Sequence, residues 1–454
     1  MKVYNPYTNQ PVGEVQLDTI PIISNKIELA KQAKTSMRLL SGFERASILN
    51  HIVLQLEEGK AEFIHVLISE SAKPHKYAKG EVERAIETFR IASEECTRLP
   101  QEIFDLDRSA KGRNLVGEYR YFPVGIVFGI SPFNFPLNLA VHKIAPAIAT
   151  GCPIILKPSS KTPLTMELLN QIIDKTDLPS GAFQLIHCSR EDGNHLIGHP
   201  DINLLSFTGS PDVGWEMKKK AHKQKVVLEL GGNAAAIICS DAVVEDAVNE
   251  LIIGAFAYSG QVCIHTQRIY VHHAIRKAFE EIFLQKTASL KIDSPENQYT
   301  DFSVMIDEQN AIRVEVWINE AIQAGAKLMC GGKREGNLVT PTVLTNVPKG
   351  CKILEEEVFG PVVILESFNN LDEAIEKVND SRWGLQASIF TDSYKNLSWA
   401  YEKLHVGGVI HNLATTFRLD NMPYGGIKDS GFGREGVKYA MLDYLEGKLL
   451  VRKS

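Results

Sequence analysis

The sequence places one carboxylate and one thiol in settings that suit covalent catalysis. Glu229 lies between two leucines at the end of a predicted strand, and two glycines follow it. A carboxyl group in apolar surroundings holds its proton longer and can act as a general base. Cys263 follows a Gly-Gln-Val segment, and a cysteine near backbone N–H donors is readily a nucleophile. The two residues are therefore candidates for a base and a nucleophile.

Asn134 offers a third polar group, inside the apolar segment 131–136. Its side-chain amide can donate hydrogen bonds in a dry place, which would stabilise an oxyanion. A turn asparagine that satisfies nearby backbone groups is the alternative interpretation.

Two further segments favour a ligand that carries phosphate or ribose. Lys157 ends a predicted strand ahead of a turn and a helix, and Gly209 and Ser210 lie between another strand and a helix. Glycine lets the backbone approach a ligand, and a helix N-terminus attracts pyrophosphate. The second segment lacks the G-x-G-x-x-G pattern, so an exposed loop lysine and a helix N-cap at Ser210 remain structural alternatives.

The other cysteines and the histidines indicate no additional chemistry. The seven cysteines are scattered singly without a C-x-x-C pair, which indicates reduced thiols that mostly fill the core. His265 follows Cys263 by two residues and shares a face with it only in a strand, which argues against a Cys–His hydrolase. The thirteen histidines are dispersed, and we expect no metal site.

Composition narrows the class of protein. The 454 residues are 44% hydrophobic and 23% charged, as in ordinary globular proteins with roughly two to four domains. A net charge of −6 argues against a nucleic-acid partner and a polybasic membrane surface. The sequence shows no signal peptide and no run of the ~18 apolar residues that a membrane helix needs, so we expect a soluble cytoplasmic protein.

The elements that must position these residues form an alternating pattern. Apolar spacing predicts helices over 23–40, 43–56 and 81–96, and the polar segment 105–122 favours a protruding hairpin. Strand and helix patterns alternate from 124 to 230 and again beyond 234, which implies parallel sheets with helices on both faces. The C-terminal segment 444–452 is prone to form a strand that could pair with a partner.

In combination these segments resemble the aldehyde dehydrogenase superfamily, from about residue 5 to the end. The resemblance is specific because its motifs occur in the expected order. These motifs are Pro132–Pro136, Lys157–Ser159, Phe207–Ser210, Glu229–Gly232, Gly260–Cys263, Glu356–Pro361 and Pro423–Gly431.

The resemblance implies an α/β fold with a Rossmann-type cofactor domain, an α/β catalytic domain and a small β oligomerisation element. The expected NAD(P)-binding domain covers 1–104 and 124–233, and the catalytic domain covers 234–429. The oligomerisation hairpin and tail cover 105–123 and 430–454. A homodimer or homotetramer is implied.

The implied reaction is the NAD(P)-dependent oxidation of an aldehyde to its acid. Cys263 would attack the carbonyl, while the Asn134 amide and the Cys263 N–H hold the oxyanion. Glu229 would then activate the water that hydrolyses the thioester. The implied cofactor contacts are Lys157, Ser160, Gly209, Ser210, Glu357 and Phe359, with Glu357 and Phe359 at the nicotinamide end.

Ser160 departs from the pattern of many NAD-preferring members, which carry glutamate there. A glutamate would bind the ribose hydroxyls and repel a 2′-phosphate. With Ser160, and with Lys157 and Lys161 beside it, we expect the enzyme to use NAD or NADP and at least to tolerate NADP.

The segment 415–424 resembles the branch containing lactaldehyde and non-phosphorylating glyceraldehyde-3-phosphate dehydrogenases. Arg84 matches a position that reads substrate anions in that branch, and Arg418 lies near another. Phosphate-using members often carry arginine where Val262 stands, so we expect a small hydroxylated or anionic aldehyde such as lactaldehyde or a sulfonated analogue. An ion pair of Arg84 within its own helix, with Glu81 or Glu87, is the alternative. The implied substrate contacts are Arg84, Phe135, Val262, Ile264 and Arg418.

Three other functions remain open. A phosphorylated aldehyde such as glyceraldehyde 3-phosphate is one alternative substrate. A CoA-acylating dehydrogenase is another possibility, although that branch usually lacks the base at Glu229. A catalytically silent binding member of the fold would not be expected to keep Cys263, Glu229 and Asn134 together.

Overall fold

The computed structural model describes residues 1–453, so Ser454, the last residue of the predicted tail, lies outside the described residues. The helices are α1 Ile20–Leu39, α2 Gly42–Glu58, α3 Lys60–Ser71, α4 His75–Glu95, α5 Asn138–Thr150, α6 Leu164–Ile173, α7 Arg190–Asn194, α8 Pro211–Lys220, α9 Val244–Phe256, α10 Arg276–Ala288, α11 Glu308–Gln323, α12 Lys352–Glu355, α13 Leu371–Asn379, α14 Tyr394–Lys403 and α15 Val437–Asp443.

The strands are β1 Lys2–Tyr4, β2 Pro11–Glu14, β3 Gln101–Asp105, β4 Leu115–Pro123, β5 Ile126–Ile130, β6 Ile154–Lys157, β7 Phe183–Leu185, β8 Ile202–Thr208, β9 Lys225–Glu229, β10 Ala234–Ile238, β11 Thr266–His272, β12 Lys327–Cys330, β13 Arg334–Glu335, β14 Leu338–Val339, β15 Thr342–Thr345, β16 Val362–Phe368, β17 Trp383–Gly384, β18 Gln386–Phe390, β19 Gly408–His411, β20 Ile427–Lys428, β21 Gly431–Phe432 and β22 Leu445–Lys453.

A six-stranded sheet in the order β21-β9-β8-β5-β6-β7 organises the first half of the chain. The pairs from β9 to β7 are parallel, and only β21 runs antiparallel, against β9. Strands such as β5 and β8 are apolar on both faces because helices cover both. α5, which follows β5, is buried along its whole length. The carboxyl ends of β5, β6, β8 and β9 therefore form one edge, where ligands bind in open α/β sheets.

A seven-stranded sheet in the order β12-β15-β16-β11-β10-β18-β19 organises the second half. It is parallel apart from β12, which pairs antiparallel with β15. Cys263 lies just before β11, one of its central strands. The two sheets confirm the predicted α/β architecture.

A three-stranded antiparallel sheet, β22-β4-β3, forms the small β element. Its strand β22 pairs with β4 of its own chain along Leu445–Lys453. Strand β3 begins at Gln101, ahead of the predicted hairpin, because residues 101–105 pair with 116–120. Strand β21 lies within the predicted tail but joins the six-stranded sheet, where it pairs with the edge of β9. The predicted domain division stays a prediction. Among residues 1–453, no helix combines the length and apolar character that a bilayer crossing requires.

Candidate active site

Cys263 faces a cavity of about 630 Å³. The preceding turn is tightly folded, since Tyr258 and Ser259 adopt left-handed backbone angles with φ of 48° and 56°. Such angles are costly for residues with a side chain and persist only where the surroundings hold them. Here the Gln261 side-chain oxygen accepts a 2.9 Å hydrogen bond from the Ile306 N–H. The thiol is thus presented by a rigid turn.

Among residues 1–453, the hydrogen-bond partner of the Cys263 thiol is the Tyr424 hydroxyl, at 3.0 Å. Burial raises the pKa of Cys263 to about 11, so the thiol holds its proton in the resting enzyme. The buried His265 ring makes no hydrogen bond to the thiol, and burial lowers the pKa of His265 to about 4. The geometry therefore argues against a Cys–His pair.

Glu229 ends β9, and both of its carboxyl oxygens are buried without a hydrogen-bond partner among residues 1–453. Burial, and then the charge of Glu435, raise its pKa well above the usual value. Gly425 passes beside it with φ of +154°, and a Cβ built on that glycine would lie 2.9 Å from Glu229 Oε1. A carboxyl group that is dry, unpartnered and slow to ionise is suited to take a proton near neutral pH.

Asn134 follows β5, as its motif predicts, and its side chain is buried. Its Nδ2 donates a 3.0 Å hydrogen bond to the Gln261 carbonyl, two residues before Cys263. The amide is therefore tied directly to the nucleophile turn, and its role as an oxyanion donor stays a prediction.

A buried charge network that sequence reasoning missed lies behind these groups. The Arg418 guanidinium stacks 3.7 Å above the centre of the Tyr424 ring and donates a 3.0 Å bond to Glu435. Lys143 lies 3.3 Å from the same carboxylate and 2.7 Å from Thr208 Oγ1. Despite burial, Lys143 and Arg418 lower the pKa of Glu435 to about 2. Arg418 thus lines the cavity with its charge already paired.

Arg84 also lines the cavity, from α4. It donates to Asp420 through Nη2 at 2.6 Å and Nε at 3.1 Å. The same carboxylate is 2.8 Å from His142 Nε2 and accepts a 3.3 Å bond from the Asn138 amide. Neither Glu81 nor Glu87 holds Arg84, so the predicted alternative of a pair within the helix is wrong. No signal in the sequence linked residue 84 to residue 420.

The remaining predicted substrate contacts converge on the same space. Phe135, Val262 and Ile264 line the cavity beside Cys263. Tyr77, Leu139, Ile253 and Leu419 add further apolar surface. The cavity is therefore apolar near the thiol, whereas its Arg84 end carries both signs of charge, since Glu83 and Glu87 line it as well.

Glu357 and Phe359 follow α12, and Glu357 lies against the glycines that follow Glu229. The Glu357 Oε1 accepts a 2.9 Å hydrogen bond from the Gly232 N–H, and burial raises its pKa to about 7. Phe359 has φ of 45° and packs edge-on against Phe133, with ring centres 5.9 Å apart. A Cβ on Gly231 would displace the Glu357 carboxylate, so glycine at this position lets that carboxylate lie against the backbone.

Lys157 lies half-buried at the end of β6, and its ammonium has no partner among residues 1–453. Burial lowers its pKa. Gly209 and the exposed Ser210 precede α8, whose first N–H groups receive no side-chain cap. A bare helix N-terminus and an unpaired ammonium at one sheet edge suit an anionic nucleotide.

Ser160 and Lys161 lie in a different cavity, with Asp307 and the N-terminal residues 1–7. Lys161 is 3.2 Å from Asp307, so its charge is partly neutralised. Of Lys157 and Lys161, Lys157 is therefore the one without an acidic partner among residues 1–453.

No group of three His, Cys, Asp or Glu residues in the described range is arranged to hold a metal ion. All seven cysteines are free thiols, and only Cys263 lines the large cavity.

Comparison with known proteins places this site in a class. The Aldehyde dehydrogenase family profile matches residues 1–450, and the chain belongs to that family. It is an NAD(P)-dependent oxidoreductase acting on aldehydes, and the unpaired Lys157, the bare start of α8 and Glu357 fit such a cofactor.

Particular relatives are similar along the whole chain. The 3-sulfolactaldehyde dehydrogenase of Priestia megaterium is 40% identical over 99% of this chain and 94% of its own length. The lactaldehyde dehydrogenase of Methanocaldococcus jannaschii is 40% identical over 99% and 97%. Aldehyde dehydrogenase 21 from Physcomitrella patens, solved with its reaction product succinate, superposes with a TM-score of 0.98 at 43% identity, covering 100% of this chain and 95% of that one.

Proposed function

We propose that this enzyme oxidises a small hydroxylated or anionic aldehyde to its carboxylic acid through a thioester on Cys263. The observation that carries the proposal is the single cavity shared by the Cys263 thiol and the Arg84 guanidinium. Its apolar wall suits a short carbon chain, and the Arg84 guanidinium at its polar end can donate hydrogen bonds to a polar or charged head group.

In the first step the Cys263 sulfur, as thiolate, bonds to the aldehyde carbon while the carbonyl π electrons move to oxygen. The Asn134 amide and the Cys263 N–H are the proposed donors to that oxyanion. Because burial keeps the resting thiol protonated, attack requires loss of its proton. That proton passes to water in the cavity, and the Tyr424 hydroxyl, 3.0 Å from the sulfur, can then donate a hydrogen bond to the thiolate.

NAD(P), when bound, supplies an acceptor for the hydride that leaves the substrate carbon. Glu357 and Phe359 are the residues proposed to hold its nicotinamide end, and Lys157 with Gly209 and Ser210 its adenosine end. Phe359 packs against Phe133, so the Phe359 side chain that would contact the nicotinamide ring is supported without a ligand.

In the last step Glu229 takes a proton from water, which attacks the thioester carbon. The carbon–sulfur bond then breaks, and the acid and the Cys263 thiolate are released. Glu229 suits this task because no protein group competes for its oxygens among residues 1–453. This arrangement favours an acid product over transfer of the acyl group to CoA.

Arg84 is the proposed reader of the substrate's head group. Its bonds to Asp420 use Nε and Nη2, which leaves Nη1 for an incoming oxygen. The relatives that carry 3-sulfolactaldehyde and lactaldehyde in their names support a three-carbon 2-hydroxy aldehyde, with or without an anionic substituent.

A phosphorylated aldehyde is the second candidate. A glyceraldehyde-3-phosphate dehydrogenase from Methanocaldococcus jannaschii, solved with NADP, has a TM-score of 0.96 at 38% identity and covers 100% of this chain and 99% of that one. Val262, which offers no charge beside the thiol, weighs against this substrate.

For the cofactor, we propose that NADP is accepted. Residue 160 offers no carboxylate to repel a 2′-phosphate, and Lys157 lies unpaired at the end of β6. A kcat/KM with NADP orders of magnitude below that with NAD would contradict this.

We also propose a homodimer or homotetramer built on the three-stranded sheet. Its outer strand β22 exposes Leu449, Leu450 and Val451 together with unpaired backbone groups. A monomer in light scattering would contradict the proposal.

A substrate panel tests the proposed reaction. Lactaldehyde, 3-sulfolactaldehyde, glyceraldehyde 3-phosphate and an unsubstituted aldehyde would be compared through the absorbance of the reduced cofactor. We expect the first two to give the highest kcat/KM and an acid as product. The Cys263→Ser variant should be about 10⁴-fold less active. An acyl-CoA product, or undiminished activity in that variant, would contradict the proposed function.

A further inference from the structure

Lys73 is fully buried, with a relative exposure of 0%, and the proposed chemistry makes no use of it. It lies in the short turn between α3 and α4, after Ala72, whose φ of 51° is left-handed. Its ammonium pairs with Glu81 of α4, which is equally buried. A buried ion pair is costly to desolvate, so stability alone does not account for this one.

The ammonium contacts the segment that carries the amide donor. Lys73 Nζ donates a 2.6 Å hydrogen bond to the backbone carbonyl of Asn134. Glu81 Oε1 accepts bonds from the N–H groups of Leu137 and Asn138, at 2.9 and 3.2 Å. The pair thus holds the Asn134 peptide directly and also fixes the start of α5 just beyond it.

The same ammonium contacts the segment that carries the nucleophile. It lies 4.1 Å from the ring centre of Phe135 and 4.6 Å from that of Tyr258, within the range of cation–π attraction. The Tyr258 hydroxyl donates a 3.1 Å bond to the Ser71 carbonyl. Residues 71–73 therefore bind both the Asn134 segment and the strained turn before Cys263.

We propose that Lys73 and Glu81 are positioning residues that set the Asn134 amide against the nucleophile turn. An oxyanion donor acts only when it is aimed at the position that the developing charge will occupy. The Asn134 side chain is held by its hydrogen bond to the Gln261 carbonyl, and the Asn134 backbone carbonyl is held by Lys73. Without the Lys73 contact the segment can shift, and displacements of about 1 Å can cost about 100-fold in rate.

The test is a double-mutant cycle between this pair and the amide. The paired variant Lys73→Met with Glu81→Gln removes both charges together and leaves no buried ion without a partner. We expect kcat to fall about 10- to 100-fold. Asn134→Ala alone should lower kcat about 100- to 1,000-fold. In the Asn134→Ala background the paired variant should have little further effect, because the group it positions is already gone.

Two further measurements separate positioning from general damage. Alkylation of Cys263 by iodoacetamide forms no oxyanion, so its rate should be unchanged in the paired variant. The surface pair Lys31–Asp201, at 3.2 Å, provides the matched control Lys31→Met with Asp201→Asn, which should leave kcat unchanged. If the paired variant does not fold, Lys73→Gln with Glu81→Gln keeps the pair neutral, retains a donor and an oxygen at the two positions, and should show a smaller loss with the same dependence on Asn134.

The inference rests on the proposed role of Asn134, and the cycle distinguishes the two failures. Full activity of Asn134→Ala would refute that role and this inference with it. A large loss in Asn134→Ala, combined with independent, multiplicative effects of the paired variant, would refute only the inference. A drop in alkylation rate equal to the drop in kcat would also refute it, because the pair would then act on the thiol or on the fold.

Discussion

Two groups of charged residues lie around the Cys263 cavity, and their hydrogen bonding differs. Toward the substrate end, Arg84 is paired with Asp420, and Arg418 with Glu435. Toward the reacting end, both oxygens of Glu229 lack a partner in the described part of the chain. A buried group that is fully paired is held in one position and one protonation state, whereas an unpaired one is free to exchange a proton. We therefore propose that the first group positions substrate and side chains and that the second carries out chemistry.

The largest expected effect on turnover comes from removing the charge of Glu229, the carboxylate without a partner among residues 1–453. Glu229→Gln should lower steady-state turnover about 100- to 10,000-fold, because water is no longer deprotonated for thioester hydrolysis. Attack by Cys263 and hydride loss should persist, so rapid mixing should show a burst of about one reduced cofactor per active site. Cys263→Ser, as control, should give no burst. Turnover of Glu229→Gln at the normal rate would break the contrast between the two groups.

A smaller effect is expected from the paired side. Arg84→Ala should raise KM about 10-fold for an anionic aldehyde and leave KM for a neutral aldehyde nearly unchanged, since a charge-assisted hydrogen bond is lost. Asp420→Asn should shift KM in the same direction, because Asp420 fixes the guanidinium. Steady-state kinetics with 3-sulfolactaldehyde and an unsubstituted aldehyde would check this. Equal effects on both substrates would remove the proposed role of Arg84.

The smallest expected effect is a shift in the pH dependence of thioester hydrolysis when Glu435 is neutralised. The negative charge of Glu435 raises the pKa of Glu229, and Glu229 must be ionised to act as a base. Glu435→Gln removes that charge and leaves Lys143 and Arg418 unpaired, and both changes lower the pKa of Glu229. The acid limb of thioester hydrolysis should therefore move to lower pH. Asp420→Asn, which removes a buried carboxylate that does not act on Glu229, should leave the limb in place. A limb that moves to higher pH would contradict the assignment.

Contiguous patterns could be read from the sequence, and they account for the confirmed architecture. Glu229 and Cys263 were identifiable because each lies beside glycines in a short motif. The α/β class followed from the alternation of strand and helix patterns. Such signals are local, so they survive in a single sequence. The catalytic roles assigned to these residues stay predictions.

Contacts between distant segments could not be read in this way. Arg84 and Asp420 are 336 positions apart, and Lys143 and Glu435 are 292 apart. Each of these residues sits in an ordinary helix or loop pattern, and nothing local marks its partner. The pairing of β21 with β9 was missed for the same reason, since a two-residue strand has no periodicity to detect.

Residues 418–435 supply Arg418, Asp420, Tyr424 and Glu435, and β21 within them closes the edge beside Glu229. A chain cut before residue 418 would still contain Cys263 and Glu229, but it would lack the hydroxyl beside the sulfur and the anions that orient the two arginines. It would also lack the antiparallel strand that pairs with β9. We expect such a truncated chain to show no aldehyde oxidation in the reduced-cofactor assay.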